Sequence, residues 1–129
     1  LPAVSTGLIP SFGGTQRLPQ LIGKTKALEL MMTGGELTAL EAKELGMVNY
    51  VTSYKEAAMK KSRELLQKIM AQAPLAVGML VNCTNAAYNP HEDGYQTEAN
   101  SFANCCKTKD FEEGVDALLA NRTPDFKGV

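Results

Sequence analysis

Glycine and proline are concentrated near the start of the chain, in the stretch GLIPSFGGTQRLPQLIG at residues 7–23. Glycine adopts backbone conformations that are closed to other residues, and proline interrupts regular structure. Their density is typical of a loop whose backbone must approach another group closely. The stretch therefore predicts a tight loop from Gly7 to Gly14, followed by a short helix that ends at Gly23.

Length and composition indicate one ordinary folded domain. The chain has 129 residues, of which 44% are hydrophobic and 21% are charged, and its 13 basic side chains nearly balance its 14 acidic ones. This composition favours neither disorder nor nucleic-acid binding. No apolar run is long enough to span a bilayer, and the first residues lack the pattern of a secretory signal. We therefore expect a soluble intracellular protein.

The number and spacing of the cysteines favour a reducing compartment. Together with the single histidine, they also argue against a metal site. Three cysteines, Cys83, Cys105 and Cys106, are an odd number, and the adjacent pair could bridge only with strain. His91 is the single histidine, and no Cys-x-x-Cys spacing occurs. A capping or solvent role for His91 is favoured over catalysis.

Periodicity predicts six helical segments and two short strands. The opening LPAVS and the later MVNYV at residues 47–51 are apolar and branched enough for strands. Thr38 and Glu41 have the spacing of a capping box, and a three-to-four-residue repeat predicts a helix at about residues 54–72. The fold class is therefore mostly α with one or two short strands. Lone strands leave backbone groups unpaired, so their partners must come from another segment or chain.

Three motifs resemble the enoyl-CoA hydratase/isomerase family, also called the crotonase family. They are GLIPSFGGTQRL, GKTKALELMMTG and ALEAKELGMVN, and the similarity continues to the closing NRTPDFKG. The resemblance implies the C-terminal part of the crotonase (ClpP-like) α/β spiral fold. Residues 1–52 would form the end of the spiral core with its loop, and residues 53–129 a helical oligomerisation region that builds a trimer or hexamer.

The family works on acyl-CoA thioesters, with two backbone N–H groups in an oxyanion hole that stabilises an enolate. The resemblance places both donors in a first half that precedes this sequence. Family hydratases add two glutamates for acid–base work, and the second aligns with Ala3, whose methyl group cannot transfer a proton. The backbone N–H of Ser11 would face the water or the acyl chain. The alternative is that residues 13–17 only pack the loop and start a helix.

The resemblance also implies three positions near the CoA of a neighbouring subunit. Family members commonly carry an aromatic residue and a lysine on the last helix, and the aligned residues here are Leu118 and Asn121, so stacking and phosphate pairing would be weaker. Lys127 could replace the lost charge, although an exposed tail lysine is more often solvated. Phe126 is expected to anchor the C-terminal arm in a groove.

Two functions follow as hypotheses. In the first, this chain is part of a lyase or isomerase that processes acyl-CoA in fatty acid metabolism. Its substrate is acyl-CoA, and we expect no covalently bound cofactor and no nucleic-acid or membrane partner. This sequence alone would be inactive, and Ala3 favours double-bond isomerisation or another enolate reaction over hydration. The alternative is a non-catalytic helical oligomerisation module. The expected location is the cytoplasm, or the mitochondrial matrix in a eukaryote.

Overall fold

The computed structural model describes residues 2–129, which form one short 3₁₀ helix and seven α-helices. The 3₁₀ helix spans Pro2–Thr6. The α-helices are α1 (Gly14–Ile22), α2 (Lys24–Thr33), α3 (Ala39–Glu44), α4 (Lys55–Met70), α5 (Pro74–Ala86), α6 (Gly94–Cys105) and α7 (Lys109–Leu119).

Both predicted strands are wrong for residues 2–129, where no strand forms. The opening segment instead forms the 3₁₀ helix, in which Gly7 N–H donates to the Val4 carbonyl at 3.1 Å. The segment MVNYV lies beyond α3 in irregular structure, and the N–H groups of Met47 and Val48 donate back to the Ala42 carbonyl. Branched residues favour strands only where a neighbouring strand accepts the ladder bonds, and these segments satisfy amides locally. Leu1 lies outside the described residues.

The chain divides into two compact units, Leu1–Ala58 and Met59–Val129. In the first unit α1 packs on α2, and α2 also contacts the 3₁₀ helix. Its core consists of Leu18, Ile22, Ala27, Leu30 and Met31, with the partly buried Leu37 and Leu45 against it. The apolar spacing of α1 and α2 produces this cluster, since one face of each helix is buried.

In the second unit α5 packs on α6, and the buried residues are few. They are Ala86 on α5 with Ala117 and Asp110 on α7, and Asp110 is the one buried charged residue among residues 2–129. Helix α4 has no buried residue. Many large apolar side chains on the helices of this unit are therefore exposed.

Helix ends follow the sequence closely. Thr38 caps α3 in a complete capping box with Glu41, which confirms that prediction, and Thr108 caps α7 by accepting from Phe111 N–H at 3.1 Å. Gly34 ends α2 in the left-handed conformation, with φ of 68°. The predicted helix at residues 54–72 is confirmed as α4. Local polar and glycine signals thus determine where the helices start and stop.

Candidate functional site

The glycine-rich loop joins the 3₁₀ helix to α1 and is held by its own backbone. Leu8 N–H donates to the Ala3 carbonyl at 3.0 Å, and Gly14 N–H donates to the Ser11 carbonyl at 3.0 Å. A Cβ atom on Gly14 would lie 2.9 Å from Pro10 Cβ, so no larger residue fits there without movement. Gly14 is therefore required by the geometry of the loop.

Phe12 occupies a strained backbone position in this loop. Its φ is 54°, in the left-handed region that non-glycine residues seldom adopt, and its side chain is 91% exposed. The Arg17 guanidinium donates to the Phe12 carbonyl and holds this conformation. Leu8 and Ile9 are also exposed, so the loop presents an apolar crest made of Leu8, Ile9 and Phe12.

The structure places both predicted catalytic positions at this loop. Ala3 is half-buried in the 3₁₀ helix, and its carbonyl accepts from Leu8 N–H and from the Thr6 hydroxyl. Ser11 lies exposed at the turn before α1, and within residues 2–129 its N–H donates to no protein acceptor. The loop can therefore offer the Ser11 N–H to a ligand, and Ala3 supplies no ionisable group beside it.

The C-terminal arm, residues 123–129, is bound to the start of α7 through backbone groups. The buried Asp110 carboxylate accepts from Lys127 N–H at 2.7 Å and from Gly128 N–H at 2.8 Å. The N–H groups of Lys109 and Asp110 in turn donate to the Val129 carbonyl, at 2.8 Å and 3.3 Å. Asp110 is 3% exposed, so its charge depends on these donors for its stabilisation.

A second carboxylate one turn along α7 holds the beginning of the arm. Glu113 accepts two bonds from Arg122, at 2.6 Å and 2.8 Å, and one from Asp125 N–H at 2.8 Å. These bonds, with the Arg122 guanidinium as the largest cause, lower the pKa of Glu113 from 4.5 to about 2. The same pair raises the pKa of Arg122. Asp110 and Glu113, which we call the carboxylate clamp, thus fix the arm along α7.

Phe126 anchors the arm in a groove, as the sequence predicted. Its ring faces Gly114, and together they help to line an apolar cavity of about 330 Å³ beside α7. Leu118 also lines this cavity, although its side chain is 79% exposed. A leucine in this position can contact an apolar group but cannot stack as an aromatic ring does.

Asn121 and Lys127 do not line that cavity. Asn121 follows α7 with φ of 52° and redirects the chain into the arm. The Lys127 ammonium pairs with the Asp125 carboxylate at 2.6 Å, and this bond raises the pKa of Lys127. Lys127 is thus exposed and paired within the arm, and its place near CoA stays a prediction. Leu118, Asn121 and Lys127 belong to the second unit, whereas Ala3 and Ser11 belong to the first.

Sequence reasoning missed the carboxylate clamp. Acidic residues near a helix start ordinarily favour the helix through its dipole, whereas the Asp110 and Glu113 carboxylates bind backbone amides 12 to 18 residues away. The available signal was an Asp-x-x-Glu pair in the first two turns of a helix that an extended tail follows. Nothing local in the sequence reveals that the tail folds back onto that turn.

Among the described residues, the side chains that could ligate a metal lie apart from one another. Within residues 2–129 no three His, Cys, Asp or Glu side chains come together as metal ligands would, and the three cysteines are free thiols. A second groove, of about 610 Å³, lies in the first unit against Leu18, Leu30 and Leu37. No helix among the described residues is long and apolar enough to cross a membrane.

Comparison with known sequences matches this chain to one protein family. The family model described as enoyl-CoA hydratase/isomerase matches residues 1–129. The Dictyostelium discoideum protein named "Probable enoyl-CoA hydratase, mitochondrial" is 38% identical over 126 residues, which are 97% of this chain and 45% of that protein. The human protein named "Enoyl-CoA hydratase domain-containing protein 2, mitochondrial" is 39% identical over 126 residues, covering 95% of this chain and 43% of its own length.

Solved structures agree with the sequence matches. The crystal structure of an enoyl-CoA hydratase from Bacillus anthracis superposes with a TM-score of 0.91 at 37% identity, covering 100% of this chain and 50% of that one. The fold is therefore that of the crotonase structures. The chain spans about half the length of the curated relatives it matches.

Proposed function

Because the chain belongs to the enoyl-CoA hydratase/isomerase family, we propose that it forms the acyl-contacting second half of an enzyme that acts on acyl-CoA thioesters. Residues 1–52 would supply the loop beside the acyl group, and residues 53–129 the helices that assemble a homotrimer or hexamer. The observation that carries this proposal is the loop from Gly7 to Gly14. It combines a backbone donor at Ser11 that has no acceptor among residues 2–129 with an apolar crest.

The chemistry in this proposal is enolate formation at the thioester. An oxyanion hole donated by the first half of the fold would stabilise the charge on the thioester oxygen. The Ser11 N–H would orient a water molecule or the acyl chain, and the crest would exclude bulk water from that side. Acyl-CoA is the substrate, and no step requires a covalently bound cofactor.

The residue at position 3 favours one acyl-CoA reaction over another, because hydration needs an acid–base group there and Ala3 has none. Adding water across a double bond needs one group that activates water and another that returns a proton to carbon. Ala3 stands where the family has the second carboxylate, and its methyl group can do neither. We therefore propose a reaction that one carboxylate can support, such as double-bond isomerisation, and we expect residues 1–129 alone to be inactive.

A fusion protein tests the proposal. The first half of the Bacillus anthracis relative would be joined to Leu1, and the fusion and the chain alone would be assayed with 2-enoyl-CoA and 3-enoyl-CoA. We expect isomerisation by the fusion, little hydration, and neither reaction by residues 1–129. Ala3→Glu in the fusion should raise hydration by about 10² to 10⁴, the usual range for a positioned acid–base group.

Ala3→Gln is the matched control, because it has the size of glutamate but cannot transfer a proton at neutral pH. Circular dichroism would establish that each fusion is folded. A folded fusion that neither binds nor turns over either acyl-CoA would contradict the proposed substrate class. Equal gains from Ala3→Glu and Ala3→Gln would contradict the role assigned to position 3.

A second candidate function, a non-catalytic oligomerisation module, is favoured by the exposed apolar helix faces of the second unit. Leu80 on α5, Phe102 on α6 and Leu119 on α7 are 66%, 70% and 80% exposed. Large exposed apolar patches mark interaction sites. Either function is compatible with the cytoplasm or the mitochondrial matrix, and fractionation of cells that express the tagged protein would distinguish these locations.

A further inference from the structure

A tight turn with an unusual backbone leads into α1. Gly14 N–H donates to the Ser11 carbonyl at 3.0 Å, which closes a four-residue turn. Both central residues have positive φ, 54° at Phe12 and 75° at Gly13, as in a type I′ turn. Glycine, asparagine and aspartate dominate such turns, and phenylalanine is disfavoured because its Cβ crowds a backbone carbonyl. A contact from outside the turn must therefore hold Phe12 in this conformation.

Arg17 on α1 supplies that contact twice over. Its guanidinium donates to the Phe12 carbonyl, and its backbone N–H donates to the Gly13 carbonyl at 2.8 Å. A Cβ atom on Gly13 would lie 3.3 Å from Arg17 Nε, so the guanidinium covers the Phe12–Gly13 peptide group closely. Within residues 2–129 Arg17 forms no ion pair. Its side chain is thus committed to the turn.

The core of the first unit fixes Arg17 in turn. The next residue along α1, Leu18, is 8% exposed and belongs to the core cluster with Leu30. Rotation of α1 would carry Leu18 out of this cluster and expose its side chain to water, which is unfavourable. The guanidinium therefore reaches the turn from a fixed point on the helix.

The turn also fixes the direction of the Ser11 N–H. The peptide group that carries this N–H joins Pro10 to Ser11, and both of its neighbours contact Gly14. A Cβ atom on Gly14 would lie 2.9 Å from Pro10 Cβ, and the Ser11 carbonyl accepts from Gly14 N–H. The proline ring also restricts φ on its own side. The Ser11 N–H can therefore change direction only if the turn opens.

We propose that Arg17 is a positioning residue for the acyl-CoA reaction. It would not touch the substrate, but it holds the Phe12 carbonyl and so keeps the Ser11 N–H and the Phe12 ring in one arrangement. The inference rests on the proposed function, which gives that N–H a substrate to orient. Without the guanidinium, Phe12 would return to a negative φ and the turn would open. A displacement of about 1 Å in a reacting arrangement can lower the rate about 10²-fold.

The test uses the fusion protein described above with Arg17→Met, which keeps the apolar stem and removes the donors. We expect kcat for isomerisation of 3-enoyl-CoA to fall by about 10- to 100-fold, with KM changed by less than about threefold. KM is spared because the loop would contact only the acyl group, and most of an acyl-CoA molecule is its CoA part. Arg63→Met makes the same change at an exposed site on α4 and should leave both constants unchanged.

A double-mutant cycle separates positioning from a general loss of structure. Glycine adopts positive φ freely, so the turn should no longer need the guanidinium when position 12 is glycine. In the Phe12→Gly background, Arg17→Met should therefore lower kcat by less than about threefold. Nuclear magnetic resonance of residues 1–129 gives a readout that needs no substrate. The amide–Hα coupling and the ¹³C shifts of Phe12 report its φ, which should become negative in Arg17→Met.

The outcomes distinguish this inference from the proposed function. The positioning role is overturned if the fusion is active and Arg17→Met has wild-type kcat, or if the loss is equal in the Phe12→Gly background. A Phe12 φ that stays positive in Arg17→Met overturns it too. So does unfolding of Arg17→Met in both backgrounds by circular dichroism, because Arg17 would then support the whole fold. A folded wild-type fusion that neither binds nor turns over acyl-CoA overturns the proposed function, and with it the role of Arg17 in the reaction.

Discussion

Replacing Asp110 by asparagine should release the C-terminal arm. The end of the arm is held by bonds from Lys127 N–H and Gly128 N–H to the Asp110 carboxylate, at 2.7 Å and 2.8 Å. The side chain is 3% exposed, so water cannot replace a lost partner without opening the site. Asparagine has nearly the same size, but it turns an NH₂ group toward one of these two donors.

The magnitude follows from the two bonds. A hydrogen bond to a charged acceptor contributes about 1.5 to 3 kcal/mol, and a bond to a neutral acceptor about 1 kcal/mol. Asp110→Asn removes one charged bond, converts the other to a neutral one and leaves a buried N–H without an acceptor. We therefore expect the free energy of unfolding to fall by about 2 to 4 kcal/mol.

Urea unfolding at neutral pH measures this change, and hydrogen exchange measures protection of the Lys127 and Gly128 amides. Glu112→Gln is the matched control, because it makes the same chemical change in the same helical turn at an exposed site. It should alter stability by less than about 0.5 kcal/mol. If Asp110→Asn were equally mild and both amides stayed protected, the carboxylate would not be what holds the arm.

Three further changes test other parts of the structure. Because the pKa of Glu113 is lowered from 4.5 to about 2, its contribution to stability is present above about pH 4.5 and is lost as pH falls toward 2. Glu113→Gln should therefore lower stability at pH 7 and flatten the pH profile in that range, as urea unfolding at several pH values would establish. Thr38→Ala removes the cap of α3 and should cost about 1 kcal/mol, with Thr38→Ser close to wild type in the same assay. Phe12→Gly should relieve the left-handed strain and be more stable than Phe12→Ala, which also lacks the ring, by up to about 1 kcal/mol; a glycine variant no more stable than the alanine variant would show that this position carries no such strain.

Helix boundaries were readable from the sequence because their causes are local. The Thr38 and Glu41 side chains bond within one turn of α3, and the left-handed Gly34 ends α2 through its own conformation. Such signals operate over three or four residues, and their meaning does not depend on what the helix packs against. The same reasoning correctly placed α4.

The strands and the carboxylate clamp could not be read in this way. A strand is defined by its partner, and the segments around Val4 and Val48 have no partner strand within residues 2–129, so they bond to nearby carbonyls instead. The clamp depends on a tail that returns to Asp110 from 17 residues away. The candidate site was predictable only in part, because Ala3 and Ser11 were identified through motif resemblance, whereas the strain at Phe12 is visible only in three dimensions.

The way in which the arm is held also constrains how this sequence can vary. Asp110 and Glu113 contact main-chain N–H groups of the arm, so the side chains at positions 125 and 127 can change without loss of the contacts that hold it. Proline is the exception, since it has no N–H to donate at position 125, 127 or 128. Among related sequences we therefore expect free substitution at the outward positions of the arm, with proline excluded from these three, and near invariance of the two acidic residues on α7. A residue that binds a peptide backbone is conserved because it fixes the path of that segment. The side chains of the segment can vary without affecting this role.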